Sequence, residues 1–152
     1  MPTLPTRPVA TASHAWVAAQ FGIIAAMLLW PAHWRPGAAA WALAAAAVAL
    51  AGWVFAYNRP GNFNVRPEPK DGARMVTGGP YARVRHPMYS ALLLGCAALP
   101  AAAPDLPRVL GWVLLVLVLR GKSALEEKLL LQRWPDYAAY RARTQRFVPW
   151  IW

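Results

Sequence analysis

The sequence predicts an all-α integral-membrane bundle of about four transmembrane helices, with a C-terminal cytosolic amphipathic helix. Three observations carry this. The 152-residue chain is 58% hydrophobic and only 14% charged, where a soluble domain carries about 25% charged residues. Its apolar residues gather into four runs, at about 15–30, 38–57, 87–103 and 106–119. Its basic residues lie mainly in the stretches outside those runs, 58–86 and 120–152. The length suits one domain, so 1–152 is read as a single membrane unit.

The first run is bounded by Pro31 and the His33-Trp34-Arg35 cluster. A signal peptide is the alternative, with Arg7 ahead of it, but Leu29-Trp30-Pro31 offers no small-residue cleavage site, so a retained helix is expected. The second run is alanine-rich, and its roughly 20 residues suffice to cross a hydrocarbon core about 30 Å thick. The third and fourth are short, with Pro100, Pro104 and Pro107 crowding their connection. A hairpin that barely reaches the far side fits, leaving a lipid-facing gap beside the third helix. The small residues Ala91, Gly95 and Gly111 permit either close helix packing or a tail-sized groove there. The lone cysteine, Cys96, lies within an apolar run and reads as a packing residue.

Charge sets the topology. In a four-span arrangement, fourteen of the sixteen Lys and Arg residues fall on one side and only Arg35 and Arg108 on the other. The positive-inside rule then places both termini, the loop 58–86 and the tail 120–152 in the cytoplasm, in an inner or plasma membrane. A net charge of +10 is matched to anionic membrane lipids rather than nucleic acid, because the basic residues flank apolar runs and form no base-reading motif.

The central loop is punctuated. Asn58-Arg59-Pro60-Gly61-Asn62 reads as a turn, and Pro67-Glu68-Pro69-Lys70-Asp71-Gly72 as a proline-stiffened run. Met75-Val76-Thr77 is a short extended piece, and Gly78-Gly79-Pro80 reverses the chain before Tyr81. At His86-Pro87 a helix should begin, since the residue before proline is pushed out of the helical region and proline favours the first helical position. A helix start offers unpaired N–H groups and partial positive charge, with His86 and Tyr89 near one another across the first turn. The alternative is that His86 caps the helix and Tyr89 anchors it at the interface.

Glu126 and Glu127 lie on the expected amphipathic continuation Arg120–Trp134. At least one carboxylate should face apolar surroundings there and take a cationic partner. Simple pairing along the helix, Lys122 with Glu126, is the alternative.

Taken together, Gly61-Asn62-Phe63, Met75-Val76-Thr77, Gly79-Pro80-Tyr81, Arg85-His86-Pro87-Met88-Tyr89, Glu126-Glu127 and the tail from Trp134 to Pro149 resemble the isoprenylcysteine carboxyl methyltransferase and phospholipid methyltransferase superfamily. The likeness covers roughly 55–152, and the first two spans are too generic to add to it. It implies S-adenosylmethionine bound at the cytosolic face without a Rossmann domain, and no metal. It also implies a lipid-like or prenylated acceptor entering from the bilayer. Carried over, Arg74, Met75, Val76, Tyr81, His86, Pro87, Met88, Tyr89, Glu126 and Glu127 would bind the cofactor, with His86 and Glu126 as the catalytic pair. Lys122 and Arg120 would approach the acceptor; the family has an arginine where Lys122 stands, and lysine lacks its bidentate fork. A phospholipid-headgroup N-methyltransferase and a non-catalytic membrane scaffold remain the alternatives, and the sequence leaves the oligomeric state open. On this reading, reporter fusions at both termini will report the cytoplasm; an external C-terminus would overturn the four-span arrangement.

Overall fold

A computed structural model describes residues 7–58, 62, 64–69 and 72–149, with side chains from residue 11 onward. Arg59, Pro60, Gly61, Phe63, Lys70 and Asp71 lie outside the described residues, and with them the turns and the part of the likeness that rest on them. The chain is all-helical: α1 (Arg7–Leu29), α2 (Ala38–Tyr57), a 3₁₀ turn (Gly79–Ala82), α3 (Pro87–Ala102), α4 (Leu106–Arg133) and a short α5 (Tyr137–Ala142). Among the described residues the only β feature is one bridge, Val84 with Gln145.

Two stretches, Thr11–Leu29 and Ala38–Tyr57, are long and apolar enough to cross a membrane. They keep most of that surface unburied, with Trp41, Val48, Trp53 and Phe55 open on α2. At about 1.5 Å per residue, the 16-residue α3 covers only about 24 Å. It is shorter than the expected 87–103 run by one residue, and Pro100 lies within its last turn rather than breaking it.

One boundary differs from the sequence expectation. α1 begins near Arg7, about two turns before Ala15, because Thr11, Ser13 and His14 do not stop a helix. As expected of a continuation, the fourth run and the amphipathic stretch form one α4 of 28 residues. No proline follows until Pro135, and Trp134, forced into the extended region ahead of it, ends the helix. Asp105 starts α4 by accepting the Arg108 N–H at 2.9 Å.

α2 packs along α3, and α1 along α4. Small residues make these contacts close. Gly95 faces the Ala47 Cβ, a side chain on Gly111 would strike Met27, and one on Gly121 would strike the Trp16 ring at 2.3 Å. Ala91 is itself buried. Thus Ala91, Gly95 and Gly111 serve packing and do not line a groove. Cys96, Leu115, Leu119 and Phe147 form the core, against Ile23, Ile24 and Trp112. Phe147 comes from the tail, so the C-terminal segment is part of the bundle.

At the end away from the candidate site, Arg108 is fully buried. It pairs with Asp105, donates to the Trp30 carbonyl at 2.6 Å and lies over the Trp34 ring. One guanidinium thereby ties the α1–α2 turn to the start of α4.

Candidate functional site

The site is assembled from a loop, a helix start and the polar half of α4. As the chain leaves α2, Asn58 donates to the Tyr81 hydroxyl at 2.9 Å. Asn62 donates to Asn58 Oδ1 and to the Arg74 carbonyl, and accepts the Arg74 N–H at 2.7 Å. One amide thus joins both arms of the loop. Gly79 then turns with φ +58, where a Cβ would lie 2.5 Å from the Tyr57 ring. Only glycine meets both the backbone sign and the close approach. The following turn buries Pro80 and presents Tyr81.

Residues 83–86 run beside the tail. Arg85 N–H donates to the Gln145 carbonyl at 2.8 Å, His86 N–H to Arg146 at 3.1 Å, and Gln145 N–H back to Arg83 at 2.9 Å. Tyr140 adds a hydrogen bond to the Tyr81 carbonyl. α3 starts at Pro87 with His86 at the N-cap position, but the His86 side chain makes no capping hydrogen bond. It reaches instead to α4.

Successive helical residues point about 100° apart, so the two glutamates of α4 have different surroundings. Glu127 is buried and meets three guanidinium groups and one imidazole. These are Arg85 Nε at 2.9 Å, His86 Nε2 at 3.1 Å, Arg141 Nε at 3.2 Å and Arg146 Nε at 3.4 Å. Glu126 keeps 27% of its side chain open, accepts from the Tyr89 hydroxyl at 3.0 Å and has His86 Nδ1 at 3.6 Å. His86 stands between the carboxylates, stacked on Tyr89 at 5.4 Å. An ionised Glu127 assigns the ring proton to Nε2, which leaves Nδ1 toward Glu126.

The electrostatics follow. Burial pushes the Glu127 carboxyl up, but hydrogen bonds from His86 and Arg85 outweigh it and hold the group at about 2. Burial raises Glu126, and the nearby Glu127 charge adds to this; His86, Tyr89 and Lys122 only partly oppose it. Burial lifts the Tyr81 phenol to about 12 against the Asn58 hydrogen bond.

Arg74, Met75, Val76, Tyr81, His86, Pro87, Met88, Tyr89 and Glu126 all line one cavity, with about 900 Å³ of empty space, open mouth included. Three sequence assignments fall elsewhere. Glu127 is outside the lining, turned into its arginine cluster. Lys122 is buried in the α1–α4 contact, where Nζ donates to Gln20 Oε1 at 2.6 Å and lies 5.3 Å from the Tyr89 ring centre. It is no surface for an acceptor, and its helix pairing with Glu126 is not a direct contact. Arg120 is exposed on α4 and lines neither this cavity nor the apolar groove described below. Conversely, Asn58, Asn62, Glu68, Trp134, Tyr137 and Tyr140 line the cavity without having been assigned. The asparagines and aromatics were visible as loop and tail residues, but no spacing tied them to Glu126.

No group of three or more His, Cys, Asp or Glu side chains among the described residues is arranged to hold a metal ion. No family model matches the chain. It is similar to the cobalt-zinc-cadmium resistance protein CzcN of Cupriavidus metallidurans, 35% identical over 77 residues. That match takes in 49% of the chain and 35% of the relative, so the chain spans about a third of that protein's length.

The four contacts of Glu127 make a direct prediction. Glu127→Gln will leave the buried Arg85 guanidinium without its counter-charge, destabilising the fold by roughly 3–5 kcal/mol in detergent unfolding measurements. A carboxyl at about 2 when folded, against 4.5 ordinarily, stabilises the fold above the unfolded value. That stability is lost as pH falls from about 4.5 toward 2. Unfolding midpoints should drop across this window in the parent, and Glu127→Gln should remove this contribution.

Proposed function

We propose that the protein transfers a methyl group from S-adenosylmethionine to an amphipathic, lipid-like acceptor at a membrane surface. It would be a multi-pass protein with the site and both termini on the cytoplasmic side. One observation carries this reading: nine of the ten residues singled out for the cofactor, from two distant stretches of chain, line one cavity with Glu126 among them, Glu127 alone being turned away. The cofactor is a cation with ammonium, sulfonium, carboxylate and adenine parts, and supplies an electrophilic methyl group. The residues present fit it. Glu126 offers a carboxylate for a cationic part, the positive end of the α3 dipole faces a carboxylate favourably, and Tyr81, Tyr89 and Trp134 offer ring surfaces. Methyl transfer is a direct displacement, so this chain's task is to align, desolvate and hold charge.

A second feature supports a tailed acceptor. An apolar groove of about 1680 Å³, open sides included, lies between Leu50 and Trp53 of α2, Leu93, Leu94 and Ala97 of α3, and Trp112 and Val116 of α4. Pro87 lines both this groove and the polar cavity, so a tail in the groove would bring its head to the start of α3. A carboxylate or thiolate acceptor needs no base. An amine acceptor, as in a phospholipid headgroup, must lose a proton, and Glu126, raised toward neutrality, suits that task better than Glu127.

Calorimetry with S-adenosylmethionine and its demethylated product tests the cofactor. Glu126→Gln and His86→Ala should each weaken binding on the order of tenfold to a hundredfold with helix content unchanged. Since Glu126 holds a cation only when ionised, parental affinity should fall on acidification through its raised pKa, above the ordinary 4.5, and Glu126→Gln should flatten that profile. Parental binding by both variants, or none by the parent, rejects the site and favours a scaffold role.

For the acceptor, Ala97→Trp fills the groove without entering the core, as a bulky residue at Ala91 would. It should abolish the preference for long-tailed over short-tailed acceptors, where each buried methylene contributes about 0.8 kcal/mol, and spare cofactor binding. Equal turnover of both acceptors by the parent would sink the tail reading.

A further inference from the structure

The cavity holds a second carboxylate that the proposed chemistry has not used. Glu68 lines it from the loop side, while Glu126 lines it from α4. Local hydrogen bonding fixes the Glu68 backbone. Asn64 Nδ2 donates to the Glu68 carbonyl at 2.6 Å, and Asn64 Oδ1 accepts the Arg66 N–H at 3.3 Å. Pro67, fully buried, anchors the segment between them. Yet Glu68 Oε2 is enclosed and has no hydrogen-bond partner among the described residues. An enclosed carboxylate oxygen left without a donor is costly, and native proteins leave few such groups unexplained. Glu126 has its donor in Tyr89, so the two acids are not equivalent: one is satisfied within the protein and the other has an oxygen without a partner among the described residues.

Resting on the cavity's assignment to S-adenosylmethionine, we propose that Glu68 is a second ligand-binding residue and accepts from the adjacent hydroxyls of the nucleoside sugar. A carboxylate presents two oxygens and suits a pair of neighbouring hydroxyl donors. The lining offers surfaces for both parts of the cofactor. Pro67 and Pro69, on either side of Glu68 in the chain, and Ala73 line the cavity with flat or small apolar surfaces that suit a base and sugar. Glu126, with His86 and Tyr89 beside it, suits the sulfonium and the charged amino-acid part.

Calorimetry on the full chain in detergent tests this with S-adenosylhomocysteine, 5′-methylthioadenosine and 2′-deoxy-5′-methylthioadenosine. The last two lack the amino-acid part and differ by one sugar hydroxyl. The parent should bind the ribose compound on the order of tenfold or more tighter than the deoxy compound. Glu68→Gln, and Glu68→Ala as the stronger truncation, should bring the two close to equal while unfolding temperatures stay at the parental value. A variant that keeps the parental ratio overturns the assignment. If the variants weaken S-adenosylhomocysteine but neither nucleoside, Glu68 holds the ammonium instead, and the sugar assignment is likewise overturned. Failure of the parent to bind S-adenosylhomocysteine is a different result: it rejects the cofactor reading on which this one rests.

Discussion

The buried carboxylate of Glu127 is the interaction on which the arrangement of the polar half depends. It gathers Arg85 and His86 from the approach to α3, and Arg141 and Arg146 from the tail. No covalent link or sheet holds these stretches together; one bridge and a few backbone hydrogen bonds do. An anion among apolar helices is tolerated only when it is surrounded by donors, so the same electrostatic demand that makes Glu127 expensive also fixes the geometry around it. His86 is oriented as a consequence. Its Nε2 is committed to Glu127, which fixes the ring plane and leaves the opposite nitrogen facing Glu126.

Two adjacent acids therefore divide the work by direction alone. Glu127 turns toward arginines and is held ionised; Glu126 turns toward the cavity, where burial favours its neutral form. Lys122, one turn back, is drawn to Gln20 on α1. Its remaining influence on Glu126 is long-range, because direct neutralisation would require it to leave that contact. The polar face of α4 is thus a graded set of environments, from a buried amide–ammonium pair to an open carboxylate.

Much of this was legible in the sequence, and the limits have physical causes. His86-Pro87 announced the start of α3 through backbone sterics that act within two residues. The loop turn at Gly79 was equally local. The separate duties of Glu126 and Glu127 were not legible, because they depend on the rotation of α4 about its axis. That rotation is set by distant packing, such as Trp16 against Gly121 and Met27 against Gly111. Lys122 and Gln20 lie 102 positions apart, and no spacing rule connects them. The amphipathic stretch was legible as a continuation of the fourth helix although charge changes abruptly at Arg120, because hydrogen bonding along a helix is indifferent to such a change when no proline intervenes. Four full spans are a further step: length and composition support crossing for α1 and α2, while α3 is short for it.

The first turn of α3 links the two cavities physically. Proline at the first helical position donates no hydrogen bond and needs none, so the polar cavity and the apolar groove approach Pro87 without exposing an unsatisfied N–H at their junction. On one side His86 and Tyr89 reach to α4; on the other, Leu93 and Ala97 descend along the groove. The strap that holds 83–86 in place also carries Phe147, which packs edge-on against His86 and Tyr89 and lines the groove. The tail therefore stabilises the ring stack of the polar site and the wall of the apolar one through a single side chain. One turn of helix thus presents a polar face to one cavity and an apolar face to the other, with Pro87 and Phe147 at the boundary.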